Sequence, residues 1–265
     1  RVIVSDIPGT TRDTVDTVFR KDDNTVVLID TAGIRRSGKI QGSVEYYTVL
    51  RAVRSMERAD IAIIVIDASQ GLLDGDKRVA GMAIEAGRGC IIVVNKWDTR
   101  SSDSMKEFAD EVRKQIPYIE FAPFVFTSAL TGMGVINVVD TAIDVAANHA
   151  LRISTGELNR IFQEAVDDHP YGRKGKDLKV KYVTMAEVKP PSITVFVNDP
   201  ELVHFSYARY LENRLRKVYA YEGTPLRINF RKAKKTRGKM ESHYCLVDLL
   251  FPRSHSVWIY YSKDN

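Results

Sequence analysis

Hydrophobic positions in the first half of the chain form short, nearly continuous runs that alternate with longer amphipathic stretches. The runs lie at 61–67, 90–95 and 124–127, and two neighbouring strand-like segments precede them at 14–20 and 25–30. Continuous apolar runs are typical of parallel strands that are buried on both faces. The amphipathic stretches predict helices over 44–59, 76–86, 105–116 and 135–151. Strands and helices in alternation predict a doubly wound α/β sheet.

The second half has a different pattern, which predicts a small α+β domain. Apolar residues at helical spacing cover 156–168 and 206–219, and strand-like segments cover 178–188, 192–197 and 226–231.

The charge balance of the chain also changes between its two halves, near residue 155. Residues 1–155 carry 19 Lys and Arg against 21 Asp and Glu, a balance of −2, whereas residues 156–265 carry 20 against 13, a balance of +7. The basic half favours a polyanion such as RNA, and a solvated basic surface is the alternative.

Composition excludes several classes of protein. With 44% hydrophobic and 28% charged residues, the chain is neither wholly disordered nor fibrous. Its apolar runs are far shorter than the ~20 residues that cross a bilayer. The two cysteines, Cys90 and Cys245, cannot form a disulfide framework, so we expect a reducing, cytoplasmic location. The chain starts at Arg1 without a signal segment, and we therefore expect a fragment of a longer protein.

The first candidate chemistry concerns a metal and a phosphate. The strand predicted over 25–30 ends in Asp30-Thr31-Ala32-Gly33. A carboxylate at the end of such a strand can hold Mg²⁺ through water, and the Gly33 N–H can approach a γ-phosphate. Alone, this tetrapeptide is a weak signal. Upstream, a threonine of Pro8–Asp13 can complete the Mg²⁺ coordination, for which we favour Thr11 over Thr10; a Pro-Gly turn is the alternative.

A base-reading arrangement, Asn95-Lys96-Trp97-Asp98, follows the strand predicted over 90–95. The Asp98 carboxylate can accept hydrogen bonds from both N1–H and the exocyclic amine of guanine, a donor pair that adenine lacks. The Lys96 stem can lie along the purine face, and Asn95 can tie neighbouring loops together. After the next strand, backbone N–H groups of Thr127–Leu130 can contact the guanine O6. Ordinary polar turns are the alternative for both segments.

The order of these four segments along the chain favours a functional site over four unrelated turns. A phosphate switch, a metal aspartate, a base reader and a base support follow one another at 8–13, 30–33, 95–98 and 127–130. Together with Ile34-Arg35-Arg36, Glu45-Tyr46-Tyr47 and Arg58-Ala59-Asp60, they resemble the second GTPase domain of the bacterial Der (EngA) family. Members of that family carry two GTPase domains and a KH-like domain. The resemblance covers about 1–235 and implies a GTPase domain over 1–153, a KH-like domain over 154–235 and an atypical tail over 236–265.

The resemblance also implies a function. It implies a monomeric, cytoplasmic protein that binds GTP and GDP, requires Mg²⁺, contacts ribosomal RNA and hydrolyses GTP as a switch in large-subunit assembly. K⁺ is implied as a further cation, because Ile34 stands where many GTPases have a water-orienting glutamine. The residues carried over are Thr11 and Gly33 for catalysis; Thr11 and Asp30 for the metal; and Thr10, Asp30, Thr31, Ala32, Asn95, Lys96, Asp98, Ser128, Ala129 and Leu130 for the nucleotide.

The chain departs from the family pattern in two ways. No Gly-x-x-x-x-Gly-Lys-[Ser/Thr] phosphate loop occurs in the 265 residues. In the family, the strand before that loop lies between those predicted over 25–30 and 61–67, so we expect a gap in mid-sheet, exposed apolar edges and impaired nucleotide binding. The tail over 236–265 carries apolar, aromatic segments that predict aggregation. The alternative function is a non-enzymatic RNA- or ribosome-binding fragment with a defective nucleotide site.

Overall fold

The computed structural model describes residues 16–29, 56–100, 104–173, 175–233 and 254–261. The chain divides into two compact units. The first unit comprises residues 1–150, 221–225 and 254–265, and the second comprises 151–220 and 226–253. The predicted domain limits at 153 and 235 stay predictions.

The strands, in chain order, are β1 (Thr17–Lys21), β2 (Asn24–Ile29), β3 (Ile61–Asp67), β4 (Gly89–Asn95), β5 (Phe124–Phe126), β6 (Gly172–Arg173), β7 (Lys176–Asp177), β8 (Val180–Glu187), β9 (Ser192–Val197), β10 (Arg227–Lys232) and β11 (Ser254–Tyr261). The helices are α1 (Asp74–Glu85), α2 (Met105–Gln115), α3 (Val135–His149), α4 (Thr155–Asp168) and α5 (Phe205–Val218). Each of these helices begins and ends within two residues of a predicted one. None of them combines the length and apolarity that crossing a bilayer needs.

The first unit is built on a six-stranded sheet in the order β1-β2-β11-β3-β4-β5. Only β1 and β2 pair antiparallel; the other strands are parallel. Alternate residues of β3 enter two different cores: Ile64 packs with α1 and α2 residues, and Ile63 packs with α3 residues. A strand that is buried on both faces must be apolar throughout, which explains its continuous run. The predicted doubly wound α/β fold is confirmed.

The predicted mid-sheet gap is wrong for the described residues, because β11 fills it. This strand pairs parallel with β2 on one side and with β3 on the other, and Trp258 is opposite both Ile29 and Ala62. Backbone N–H and C=O groups at two apolar strand edges need partners, and a β-prone segment supplies them on both sides. Residues 254–261, predicted as part of an aggregating tail, therefore lie inside the sheet.

A second distant segment, 221–225, also belongs to the first unit. The Gly223 N–H donates to the Phe121 carbonyl at 2.8 Å, and the Cys90 N–H donates to the Gly223 carbonyl at 2.7 Å. Gly223 has φ +69°, and a Cβ there would lie 2.3 Å from a Val145 methyl group. Only glycine fits this close approach. Nothing in the hydrophobic pattern predicts that the segment belongs to this unit.

The second unit has the predicted order helix, strand, strand, helix, strand. Its sheet runs β10-β9-β8, with β8 antiparallel and β10 parallel to β9. The Asn159 amide of α4 donates to the Val183 carbonyl at 2.8 Å and accepts from the Val183 N–H at 2.9 Å. This side chain gives the edge strand β8 the partners that another strand would provide. A short hairpin, β6–β7, is an addition to the predicted pattern.

Candidate nucleotide-binding site

The carboxyl end of β4 places the sequence Asn95–Asp98 at one edge of the sheet. The Ala68 N–H donates to the Asn95 carbonyl at 2.8 Å, and the Trp97 N–H donates to the Thr127 carbonyl at 3.0 Å. Lys96 has φ 60° in the left-handed region, which turns the chain sharply out of the strand. A single 3₁₀ turn, Trp97–Thr99, follows. The ends of β3, β4 and β5 therefore hold the base-reading sequence in place.

A buried tryptophan anchors this turn. The Trp97 ring lies edge-on to Phe126, with centroids 4.6 Å apart, and to Phe108 at 5.6 Å. Such edge contacts add to the burial of a large apolar ring. The neighbours of Trp97 on each side, Lys96 and Asp98, are exposed. The anchor thus fixes the turn while its two charged side chains remain accessible to a ligand.

Asn95 joins the turn to the loop after β5. Its side-chain oxygen accepts hydrogen bonds from the Ala129 N–H at 3.1 Å and from the Thr127 hydroxyl at 3.3 Å. The Ser128 N–H donates to the Met133 carbonyl at 3.0 Å. Of the three N–H groups in 128–130, only that of Leu130 has no acceptor among the described residues. This group is free to meet a ligand oxygen.

The two loops enclose a cleft of about 580 Å³, which is in the size range of small-molecule sites. Its lining residues are Asn95, Lys96, Asp98, Thr99, Ala129 and Leu130. The Asp98 carboxylate accepts no hydrogen bond from the described part of the chain, and Leu130 keeps 86% of its surface exposed. The cleft therefore combines unpaired hydrogen-bonding capacity with an uncovered apolar side chain.

The structure brings together five of the predicted nucleotide-binding residues, Asn95, Lys96, Asp98, Ala129 and Leu130. Ser128 is fully buried, and its hydroxyl accepts a hydrogen bond from the Thr131 N–H at 3.2 Å. Its side chain therefore stabilises the loop after β5 and does not line the cleft. The remaining predicted site residues lie outside the described residues: Thr10, Thr11, Asp30, Thr31, Ala32 and Gly33. Within the described ranges, no group of three His, Cys, Asp or Glu side chains could hold a metal ion.

An aspartate that sequence reasoning missed contacts the site. Asp67, 7% exposed at the end of β3, accepts a hydrogen bond from Lys96 Nζ at 2.5 Å. Its other oxygen accepts the Ser69 N–H at 2.9 Å and the Ser69 hydroxyl at 2.6 Å. Burial raises the pKa of Asp67, but the hydrogen bonds from Lys96 and Ser69 outweigh it, and the pKa is lowered. The sequence signal that could have identified Asp67 is its position as the charged residue that ends the apolar run over 61–67. In the sheet this residue pairs with Asn95.

Comparison with known proteins agrees with this geometry. A family model described as a 50S ribosome-binding GTPase matches residues 1–96. A second, described as the KH-domain-like C-terminal part of EngA bacterial GTPase enzymes, matches residues 152–231. GTPase Der of Alkaliphilus oremlandii is 49% identical over 235 residues, which are 87% of this chain and 53% of that protein. The chain belongs to the Der (EngA) family.

Other Der relatives give the same proportions. GTPase Der of Geobacillus sp. strain WCH70 is 48% identical over 231 residues, 86% of this chain and 53% of the relative. The chain thus spans about half the length of the curated Der proteins that it matches. One solved structure compared is the crystal structure of Era in complex with MgGDPNP and nucleotides 1506–1542 of 16S ribosomal RNA. Its protein chain is 18% identical to this chain in sequence, and the TM-score is 0.42. The match covers 97% of this chain and 84% of the Era chain.

The ion pair between Lys96 and Asp67 leads to a pH prediction for this Der chain. A lowered folded-state pKa stabilises the fold above the unfolded value of about 3.9, and this contribution is lost as pH falls through the folded pKa. Replacing Lys96 with Met removes the hydrogen bond and the positive charge that lower the Asp67 pKa, while burial and the two Ser69 hydrogen bonds remain, so we expect the Asp67 pKa to rise relative to the unchanged chain. Carboxyl ¹³C NMR measures the shift directly.

A matched control exists on α1. Lys77 pairs with Asp74, whose side chain is 97% exposed. We expect Lys77→Met to leave the Asp67 pKa unchanged, because the ion-pair partner of Lys77 is Asp74. An unchanged Asp67 pKa in Lys96→Met would show that the ion pair does not hold that carboxylate.

Proposed function

We propose that this Der chain carries the guanine-reading part of a GTP-hydrolysing switch that acts in assembly of the large ribosomal subunit. The cleft between Asn95–Asp98 and Ala129–Leu130 is the observation that carries the proposal. Among the described residues, the Asp98 carboxylate in this cleft has no hydrogen-bond donor and the Leu130 N–H beside it has no acceptor. Guanine offers the complementary groups, two donors on its N1 and C2 edge and the O6 acceptor. The name of the relatives, GTPase Der, supports the same conclusion.

The cleft residues suggest how the base binds. Asp98 accepts from the guanine N1–H and exocyclic amine, and the Leu130 N–H donates to O6. The Lys96 stem covers one face of the purine, with its ammonium group held by Asp67. The exposed Leu130 side chain covers another part of the base. Adenine in this position would leave a charged carboxylate without donors, which costs free energy and gives specificity.

The phosphate end of the site rests on residues outside the described ranges. We propose that Thr11 and Asp30 hold Mg²⁺, because hydroxyl and carboxylate oxygens are the ligands it prefers. We propose that Gly33 contacts the γ-phosphate and that K⁺ assists hydrolysis. Mg²⁺ supplies electrostatic stabilisation of the transferring phosphoryl group. Since the 265 residues contain no Gly-x-x-x-x-Gly-Lys-[Ser/Thr], hydrolysis requires a phosphate loop from elsewhere.

We also propose ribosomal RNA as the partner of the second unit, in a cytoplasmic, monomeric protein. The +7 balance of residues 156–265, from 20 basic and 13 acidic residues, supports a polyanion. The β6–β7 hairpin adds a second indication. Its turn carries Gly172-Arg173-Lys174-Gly175, a Gly-x-x-Gly pattern that was not expected in 156–235; KH domains clamp RNA backbone with this pattern in a loop between helices, whereas here it joins two short strands and adds exposed positive charge. Gly172 and Arg173 are exposed. The four-residue pattern itself was the sequence signal for this hairpin.

A titration with fluorescent GDP tests the nucleotide proposal. We expect weak binding by the present chain and tight binding by a form in which a phosphate loop and its preceding strand are joined upstream of Arg1 and residues 254–265 are removed, because that strand and β11 take the same place between β2 and β3. Unlabelled GDP should displace the probe, whereas ADP should not. Equal displacement by ADP would contradict guanine reading by Asp98. No binding by either form would favour the alternative, a non-enzymatic RNA- or ribosome-binding protein, for which the missing phosphate-loop motif is the supporting observation.

A further inference from the structure

The two faces of the sheet in the second unit differ in character. Because side chains alternate along a strand, Val183 and Val195 share one face, and Tyr182 and Phe196 share the other. Both valines are fully buried, whereas Tyr182 keeps 46% of its surface exposed. The second face therefore presents an aromatic side chain to solvent.

The two aromatic rings on this face stack on each other. Tyr182 and Phe196 are directly opposite across β8 and β9, with ring centroids 4.1 Å apart and ring planes within 16° of parallel. Each ring thus has one face covered by the other. Within the part of the chain that the structure describes, β8 is the edge strand of its sheet, and no strand lies beside the face of the Tyr182 ring that points away from Phe196. One more flat ring can extend the stack from that side.

Positive charge accompanies the stack. Arg231 on β10 is the register partner of Phe196, so it lies in the same row on the same face. It is exposed and makes no ion pair with any residue that the structure describes. Lys179 and Lys181, on either side of Val180 near Tyr182, are also exposed. One cation, Arg231, therefore lies in the row of the stack, and two exposed lysines are close to Tyr182 along the chain.

We propose that the stack of Tyr182 and Phe196, with Arg231 beside it, binds an unpaired base of single-stranded RNA. Bases of single strands stack on aromatic side chains while Arg and Lys contact the phosphates. In a duplex the faces of a base are already covered by its neighbours. The rest of the row beside the stack is polar, with Thr184, Thr194 and Asn229, and so lacks the extended apolar patch of a typical protein interface.

This inference rests on the proposed RNA-binding role of the second unit and assigns the binding to the surface around Tyr182 and Phe196. Fluorescence anisotropy with a labelled ten-nucleotide oligo(A) tests it, using the duplex of the same RNA for comparison. Tyr182→Thr keeps a strand-favouring residue but removes the ring, and we expect it to weaken single-strand binding by about 5-fold or more. Tyr182→Phe should restore binding. Arg231→Gln should weaken binding and lower the slope of log affinity against log salt by about 0.7.

Tyr118 provides a matched control in the first unit, since it is also 46% exposed. Tyr118→Thr should bind RNA as the unchanged chain does. Thermal unfolding of each variant shows whether its fold is retained. Wild-type affinity in a folded Tyr182→Thr variant would overturn the stacking surface while leaving the RNA role in place. An unchanged chain that binds no single-stranded RNA would overturn both, and would leave a protein partner for this face; GDP binding at the cleft is unaffected by either outcome.

Discussion

Truncation after Arg253, which removes β11, is expected to unfold the first unit and leave the second unit folded. The strand has five paired positions against β2 and five against β3. At about 1 kcal/mol of net stabilisation for each backbone hydrogen bond, the loss approaches the ~5–15 kcal/mol that a whole domain has. The break is also in mid-sheet, where two apolar edges lose their partners at once.

Denaturant unfolding followed by tryptophan fluorescence measures this effect. The chain has two tryptophans, and truncation removes Trp258, so the signal then reports Trp97 of the first unit. Removing only residues 262–265 is the matched control and should leave the unfolding midpoint unchanged. A milder variant, Trp258→Pro, removes one backbone donor at the position opposite both Ile29 and Ala62. A truncated protein whose first unit unfolds at the original midpoint would contradict a structural role for β11.

Replacing Asp98 with Asn is expected to weaken GDP binding by at least about 100-fold, since two hydrogen bonds to a charged acceptor are lost or reversed. The structure predicts little change in stability, because Asp98 is exposed and accepts no hydrogen bond from the described residues. The Asn amide can instead donate to a carbonyl at C2 of the base. Xanthosine diphosphate carries that carbonyl and should gain affinity relative to GDP.

Competition against fluorescent GDP measures both affinities, in the form of the protein that carries a phosphate loop. Asp74→Asn is the control, because this side chain is 97% exposed and forms only a surface ion pair. That variant should keep the affinity and base preference of the unchanged protein. Unaltered GDP affinity in Asp98→Asn would remove Asp98 from base recognition and would refute the central element of the proposed function.

Local patterns in the sequence predicted the parts of the fold that depend on local burial. β3 and β4 were found within one residue of their bounds, because strands buried on both faces must be continuously apolar. The helices followed from apolar residues at helical spacing, and Ser104 and Ser154 cap two of them by accepting a backbone N–H. The membership of the Der family also followed from short motifs, and the comparisons confirm it.

Contacts between distant segments could not be predicted in this way. The pattern around 254–261 shows a strand-forming segment, yet it carries no information on which edge it joins. The local sequence likewise does not show that Gly223 packs against Val145, because the two residues are 78 positions apart in the chain. The prediction of a gap between β2 and β3 was wrong because it assumed that only the strand before the phosphate loop could take that position, whereas β11 takes it.

The sequence by itself determined the α/β and α+β organisation, the base-reading segment Asn95–Asp98 and the family, because periodicity and motifs are properties of neighbouring residues. Only the tertiary structure decided that β11 completes the sheet and that Asp67 holds Lys96. It also decided that Tyr182 stacks on Phe196. Each of these contacts depends on strand order and register, which arise from pairing between segments far apart in the chain.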